Sequence, residues 1–203
     1  MGRTSDARER LLEAMMELIW VGSYGSTSVD QICERAEVKK GSFYHFFESK
    51  HALAMAAIEH GWETFRLELD QAFSASKPPE QRLAEWIKQL IKEQVEMKAK
   101  HGRVLGCPIH TLGTEIGPMD DIFQKVLKNK LALYLRYLES AIRDAHAEGV
   151  VHAPDASAKA KIVFAYSEGL LAHARIWDDL SVLDSLKDGV WDILRLEQVL
   201  ETA

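Results

Sequence analysis

The chain is poor in several things, and each shortage excludes something. Among 203 residues there are only two cysteines, Cys33 and Cys107, too few for a disulfide framework. No uninterrupted apolar run reaches the roughly 18 residues that a membrane span needs. The opening residues M-G-R-T-S-D-A-R-E-R contain no apolar stretch of the signal-peptide kind. No membrane partner and a cytoplasmic location are therefore expected. There is no internal repeat, no low-complexity segment and no strand-like alternation of apolar and polar residues. The sequence has no G-x-S-x-G, no Walker A motif, no H-E-x-x-H and no dinucleotide fingerprint, so neither an enzyme nor a cofactor is expected. His110 and His173 lack the close partner spacing of a metal site, and no metal is expected either. Positive charge is also short. The net charge is −6, which argues against a wholesale nucleic-acid coat but not against a docking surface made of a few placed cations.

What is present centres on Ser26–Lys50, S-T-S-V-D-Q-I-C-E-R-A-E-V-K-K-G-S-F-Y-H-F-F-E-S-K. Thr27 or Ser28 suits an N-cap, its hydroxyl accepting from a free first-turn N–H. Val29, Ile32, Cys33 and Ala36 then recur at i, i+3, i+4 and i+7, the apolar face of a short helix. Glu37-Val38 interrupts the period. A second short helix runs from Lys39 to about Phe46, with Lys39, Lys40, Ser42, Tyr44 and His45 polar and Phe43, Phe46 and Phe47 aromatic. Helices this short do not stand alone in water. A helix-turn-helix accounts for both, the first bracing the backbone and the second entering a major groove. Lys39, Lys40 and Lys50 against Glu48 leave a small local positive excess in an otherwise acidic chain.

Around that pair the 3.6-residue period predicts an all-α chain of about nine helices. A helix from Asp6 to Val21 follows a polar tail of five residues. A connector helix capped by Ser49 carries Leu53, Ala57, Ile58, Trp62, Phe65, Leu69 and Phe73 on its buried face. A break at Ser74–Pro79 precedes a helix over 79–100, and Leu105–Gly117 is short, irregular or helical. Pro118 is expected to open a long helix to about Glu148, stopped by Gly149. Pro154-Asp155 opens the next, to about Asp178, and a last helix covers 182–200. The division expected is a head at residues 1–50 and a body at 51–203, with the connector belonging to both.

The composite Thr27-Ser28-Val29…Ile32…Ala36…Val38…Lys40-Gly41-Ser42-Phe43-Tyr44…Phe47…Ser49-Lys50 resembles the TetR family of bacterial transcriptional repressors. Beyond Lys50 only the all-helical layout is similar. The resemblance implies a homodimer, a three-helix DNA-binding head, and a helical ligand-binding and dimerisation body whose last two long helices pack across the two-fold axis. Three positions depart from the family pattern. Glu37 stands where the turn usually has Gly, Phe46 where a Tyr or His often reaches a phosphate, and Ser23 where Gly is usual.

The residues then receive roles. Lys39, Lys40 and His45 are expected at base edges, with Ser42 base-tolerant. Thr27, Ser28, Tyr44 and Lys50 are expected at phosphates, the helix starts favouring an anion. Gly41 allows the helix to approach DNA closely. The partners are a palindromic double-stranded operator, with half-sites one helical turn or more apart, and a small-molecule effector. In the body, Gly106-Cys107-Pro108 puts a thiol at a helix start, where its pKa falls, with His110 three residues on. Cys107 is either a redox or electrophile switch, as in family members carrying a Gly-Cys pair here, or an apolar residue lining a pocket. Trp86, Leu90, Cys107, His110, Tyr134, Tyr137, Tyr166 and His173 are the candidate linings of that pocket. Phe164, Leu170, Leu171, Ile176, Trp177, Trp191, Leu194 and Leu196 face either a partner subunit or the chain's own core. The function expected is a ligand-responsive DNA-binding regulator, a repressor that leaves its operator when a small molecule, oxidant or electrophile acts on the body. The alternative is a helical small-molecule or redox-sensing protein without sequence-specific DNA binding.

Overall fold

The computed structural model describes residues 2–117 and 120–195, and side chains from residue 6 onward. Its elements are α1 (Gly2–Val21), α2 (Val29–Arg35), α3 (Lys40–Phe46), α4 (Lys50–Ala72), α5 (Pro79–His101), α6 (Pro108–Glu115), α7 (Asp121–Ala147), α8 (Ala156–Trp177) and α9 (Leu186–Arg195). A 3-10 helix, Leu180–Ser185, leads into α9. The described residues thus form an all-α fold of nine α-helices with no strand.

The caps explain the boundaries. Ser28 and Gln31 close a reciprocal capping box on α2, satisfying two N–H groups that a helix start leaves open. Ser49 accepts from the Ala52 N–H at 3.0 Å and starts α4 as its position suggests. Gly102, at φ 75°, ends α5 in the left-handed conformation that costs glycine least. Asp155 caps α8.

Three boundaries differ from the sequence expectation. The backbone is already helical from Gly2 rather than from Asp6. α7 starts at Asp121 because the Asp120 carboxylate accepts from the Ile122 and Phe123 N–H groups, both at 3.0 Å. Pro118, the start expected there, lies outside the described residues. The last helix is broken because Asp179 caps a 3-10 turn through Ser181, so α9 begins only at Leu186. Leu196 and the rest of that expected helix lie outside the described residues.

The chain forms two compact units and crosses between them three times. One unit is Met1–Leu67 with Pro108–Lys128, and the other is Glu68–Cys107 with Asn129–Ala203. Both α4 and α7 are therefore shared, and no single cut at residue 50 separates the units.

In the first unit the core joins Leu11, Met15 and Ile19 of α1, Ile32 of α2, Phe43 of α3 and Leu53 of α4 with Leu112 and Ile116 of the α6 segment and Phe123 and Leu127 of α7. Three short N-terminal helices offer little apolar area by themselves. The returning segment completes their core.

The second unit is built around Leu83, Trp86, Ile87, Leu105, Leu138, Ile142, Val163, Leu183, Val190 and Leu194. Its buried cations are all engaged. The Arg82 guanidinium meets the Asp144 carboxylate at 2.5 Å and the Lys77 carbonyl at 2.8 Å. The Lys159 ammonium donates to the Ile193 carbonyl of α9 at 2.6 Å.

Candidate nucleic-acid interface and sensor site

α3 presents one face and anchors the other. Phe43 is fully buried and Phe47 nearly so, which holds the helix to the head. Lys39, Lys40, Gly41, Ser42, Tyr44 and His45 are all exposed, and a Cβ placed on Gly41 would meet nothing within 4 Å. Lys40 reaches back to Asp30 of α2 at 2.7 Å, and that hydrogen bond, with the charge of Asp30, raises its pKa. The turn between the helices passes through Glu37 at φ 53°. This left-handed conformation costs a non-glycine residue about 1 kcal/mol. The turn keeps its expected shape and tolerates the strain, with the Val38 N–H bonded to the Cys33 carbonyl at 2.9 Å.

Two of the expected phosphate contacts are placed otherwise. Thr27 is 5% exposed and its hydroxyl donates to the Ser23 carbonyl at 2.7 Å, so Ser28 alone takes the capping role. The Lys50 ammonium donates to the Tyr24 and Thr27 carbonyls, both at 2.9 Å, and lies 4.1 Å from the Tyr24 ring centroid. It is turned onto the loop before α2 because that loop leaves two carbonyls converging on it.

The same loop is held from α6. The Glu115 carboxylate accepts from the Tyr24 N–H at 3.0 Å and the Gly25 N–H at 2.7 Å, a charge-assisted pair. Tyr24 also packs edge-on against Phe123, with centroids 5.4 Å apart. Glu115 escaped the sequence reading because nothing local marks a partner 90 residues away.

Replacing Lys50 with Ala leaves two carbonyls without their donor and is expected to cost about 1–2 kcal/mol of stability. Operator affinity falls with an unchanged salt slope. Lys39→Ala instead lowers the slope by about 0.9. Fluorescence anisotropy over a salt series separates the two.

In the second unit the candidate pocket residues divide. Trp86 and Tyr134 are buried together, the indole N–H donating to the phenol oxygen at 2.7 Å, and Phe164 stands edge-on to Tyr134 at 5.3 Å. Leu90 is buried nearby on α5. Tyr137 bonds to the Asp70 carboxylate and leans on Phe73. Tyr166 does not belong with them. Its hydroxyl donates to the Ser185 carbonyl at 3.1 Å and its ring covers Gly189, where a Cβ would come within 2.1 Å of it. It packs α8 against the 3-10 helix and α9. His173 is exposed, beside Trp177 at 5.3 Å between ring centroids.

Cys107 is partly exposed and ends the first segment of the second unit, while His110 is exposed on α6 in the first unit. Pro108 is the first residue of α6, so Cys107 does immediately precede a helix. In its own unit the thiol hydrogen-bonds to the Glu168 carboxyl, a residue the sequence reading did not name. Burial raises the Glu168 pKa to about 7, partly offset by that bond. Burial also raises Glu93 to about 7, with Glu68, Glu96 and Glu168 adding to the effect. A sequence signal existed, since Glu168 lies one turn from Leu171 on the buried side of α8, where a charge is out of place.

The proposed interface residues also divide. Leu171 and Leu194 are buried within the protomer. Phe164 and Leu170 are partly exposed, as is Trp191 beside Arg195. The exposed apolar face of α8 is instead Ile162, Gly169, Ile176 and Trp177, the last two 73% and 66% exposed. Among the described residues no group of His, Cys, Asp or Glu could hold a metal, and no helix is long and apolar enough to cross a membrane.

A short brace helix, a tight turn, an anchored helix with an outward polar face and a helical body define the class of helix-turn-helix DNA-binding regulators. Residues 11–57 match the model described as bacterial regulatory proteins, tetR family. The chain is 36% identical over 158 residues to the transcriptional regulator AcuR of Cereibacter sphaeroides, a match covering 76% of this chain and 70% of that one. It is 23% identical over 139 residues to the transcriptional repressor NemR of Escherichia coli, covering 68% of each. A crystal structure of the regulatory protein TetR from Rhodobacter sphaeroides superposes with a TM-score of 0.82 at 32% identity, over 92% of this chain and 98% of that one. Reduced E. coli NemR superposes at 0.80 and 21% identity over 95% of this chain, a likeness of fold. The chain belongs to the tetR family of bacterial regulatory proteins and is a DNA-binding transcriptional regulator, not an enzyme.

Proposed function

We propose that the protein is a homodimeric repressor that leaves a palindromic operator when a small molecule, a soft electrophile in particular, acts on the body at Cys107. The observation that carries this reading is the partly exposed Cys107 thiol set against the buried Glu168 carboxyl in the helical body. On the DNA side, Lys39, Ser42, Tyr44 and His45 read the groove around Gly41, and Ser28 at the start of α2 meets a phosphate. Trp86, Leu90 and Tyr134 form the apolar wall of the effector site. Tyr166, His173 and His110 leave that site, for the placements given above. Ligand binding shifts the population between two head spacings by its differential affinity for them. The operator site of action is cytoplasmic.

The test is a gel shift with DNA from upstream of the protein's own gene, at two salt concentrations, with and without N-ethylmaleimide. A salt-sensitive complex that the reagent dissolves in the wild type, and not in Cys107→Ser, supports the reading. Equal release from both proteins removes Cys107 from it.

The dimer is expected to form along Ile162, Gly169, Ile176 and Trp177. Trp177→Glu places a charge in that face. It should halve the mass seen in analytical ultracentrifugation and weaken operator binding, because the second half-site then binds as a separate event. A variant that stays dimeric would move the interface elsewhere.

A further inference from the structure

The backbone around Cys107 is clamped from two helices. The Gln94 side-chain amide of α5 is buried and grips Gly106 twice. It accepts from the Gly106 N–H at 2.7 Å and donates to the Gly106 carbonyl at 3.3 Å. Arg175 of α8 donates to the Leu105 carbonyl at 2.8 Å. Gly106 itself adopts φ 67°, and a Cβ there would stand 3.3 Å from the Leu171 carbonyl oxygen. The thiol one residue on is thus positioned, and it is held against Glu168, which is 6% exposed. The titratable groups that face this pair are Glu93 from α5 and Tyr134 from α7.

A carboxylate beside a thiol discourages the standing thiolate, since two negative charges would then share one site. A free thiolate is nonetheless the form that attacks. The arrangement suits a thiol that ionises only as it reacts, with its proton taken by the neighbour.

We propose that Glu168 is the proton acceptor that activates Cys107 toward neutral Michael acceptors, the α,β-unsaturated carbonyl compounds. This deepens, and rests on, the reading of Cys107 as the sensor. In the step the sulfur lone pair bonds to the β-carbon and the C=C π pair moves onto the α-carbon. The thiol proton passes to the Glu168 carboxylate and from there to the α-carbon. The net change is addition of S–H across the double bond. No oxidant or reductant is consumed, and Glu168 ends as the carboxylate it began as. A base works best when its pKa lies near the working pH, and Glu168 is held at about 7. Two carboxyls, Glu93 and Glu168, also disfavour anionic electrophiles.

The test is the rate of Cys107 alkylation by N-ethylmaleimide in the full-length protein, followed by peptide mass spectrometry from pH 5.5 to 8.5. Cys33 serves as the internal comparator. The wild-type rate is expected to rise through an inflection near 7. Glu168→Gln should lose that inflection and react roughly a hundredfold more slowly at pH 7. Glu168→Asp should restore the inflection in part. A purely electrostatic role predicts the reverse, because removing the neighbouring negative charge eases thiol ionisation. A Glu168→Gln protein that alkylates as fast as wild type, or faster, overturns the proposal. If that variant does not fold, the wild-type profile decides alone, since an inflection near the ordinary thiol value of roughly 8.5 overturns the proposal. Operator release is measured on the same alkylated samples. Complete alkylation without release defeats the sensor reading and leaves the proton transfer standing.

Discussion

Gly41→Glu is expected to abolish operator binding, lowering affinity at least about a hundredfold, or roughly 2.7 kcal/mol, while the protein melts no lower than wild type. The two halves of that expectation have separate causes. Within the chain, nothing lies within 4 Å of where the new Cβ would stand, and replacing a helical glycine relieves a backbone entropy cost of about 0.5–1 kcal/mol. With α3 docked in the groove as proposed, the new side chain would stand between α3 and the DNA and place a carboxylate among phosphates. Anisotropy with operator DNA and a thermal melt of the same sample check both halves. A stable variant that still binds would remove this face of α3 from the groove.

The second large effect is on stability against pH. Glu168, held at about 7 in the folded body, has an ordinary carboxyl value near 4.3 when the chain unfolds. The folded state therefore binds the proton more tightly between those limits. Stability is highest below about pH 4.5, as far as this group is concerned, and falls as pH rises through about 7. At that shift the cost of carrying the buried carboxylate at pH 8 is about 3 kcal/mol. Glu168→Gln removes it. Relative to wild type the variant should melt at about the same temperature near pH 4.5 and roughly 6–12 °C higher at pH 8. Glu93 titrates in the same window and faces Glu168, so the wild-type slope belongs to the pair and not to one residue. Parallel melts of wild type and variant across pH test it. A constant difference between them would mean that Glu168 is charged in the fold at little cost. The same substitution is thus expected to stabilise the protein and to slow its chemistry. A buried acid that the fold would be more stable without is the kind of residue that function retains.

How legible the molecule was depended on how local the deciding interaction is. Helix starts at Ser28, Ser49 and Asp155 and the stops at Gly102 and Gly149 were readable because a cap bonds within three or four residues of itself. The outward polar side of α3 was readable because its apolar anchors, Phe43 and Phe47, lie one turn apart. The strain at Glu37 was visible as a side chain where the turn wants none. Local signals point Thr27 and Lys50 outward, and both turn inward because loop carbonyls of Ser23, Tyr24 and Thr27 accept from them. Those carbonyls converge only once the loop is folded.

The amino-acid sequence by itself determined the all-helical class, the helix-turn-helix and the outward face of α3, since each follows from periodicity and caps within about a turn or two. The tertiary structure alone decided that loop carbonyls engage the Lys50 ammonium, that α6 and the start of α7 complete the core of the head, that Tyr166 packs against Gly189, and that Leu171 and Leu194 are buried within the protomer. It alone also placed Glu168 against Cys107, 61 positions apart in the chain. Hydrogen bonds and burial between distant segments set these outcomes, and a period read along one helix carries no information about which neighbour that helix will meet.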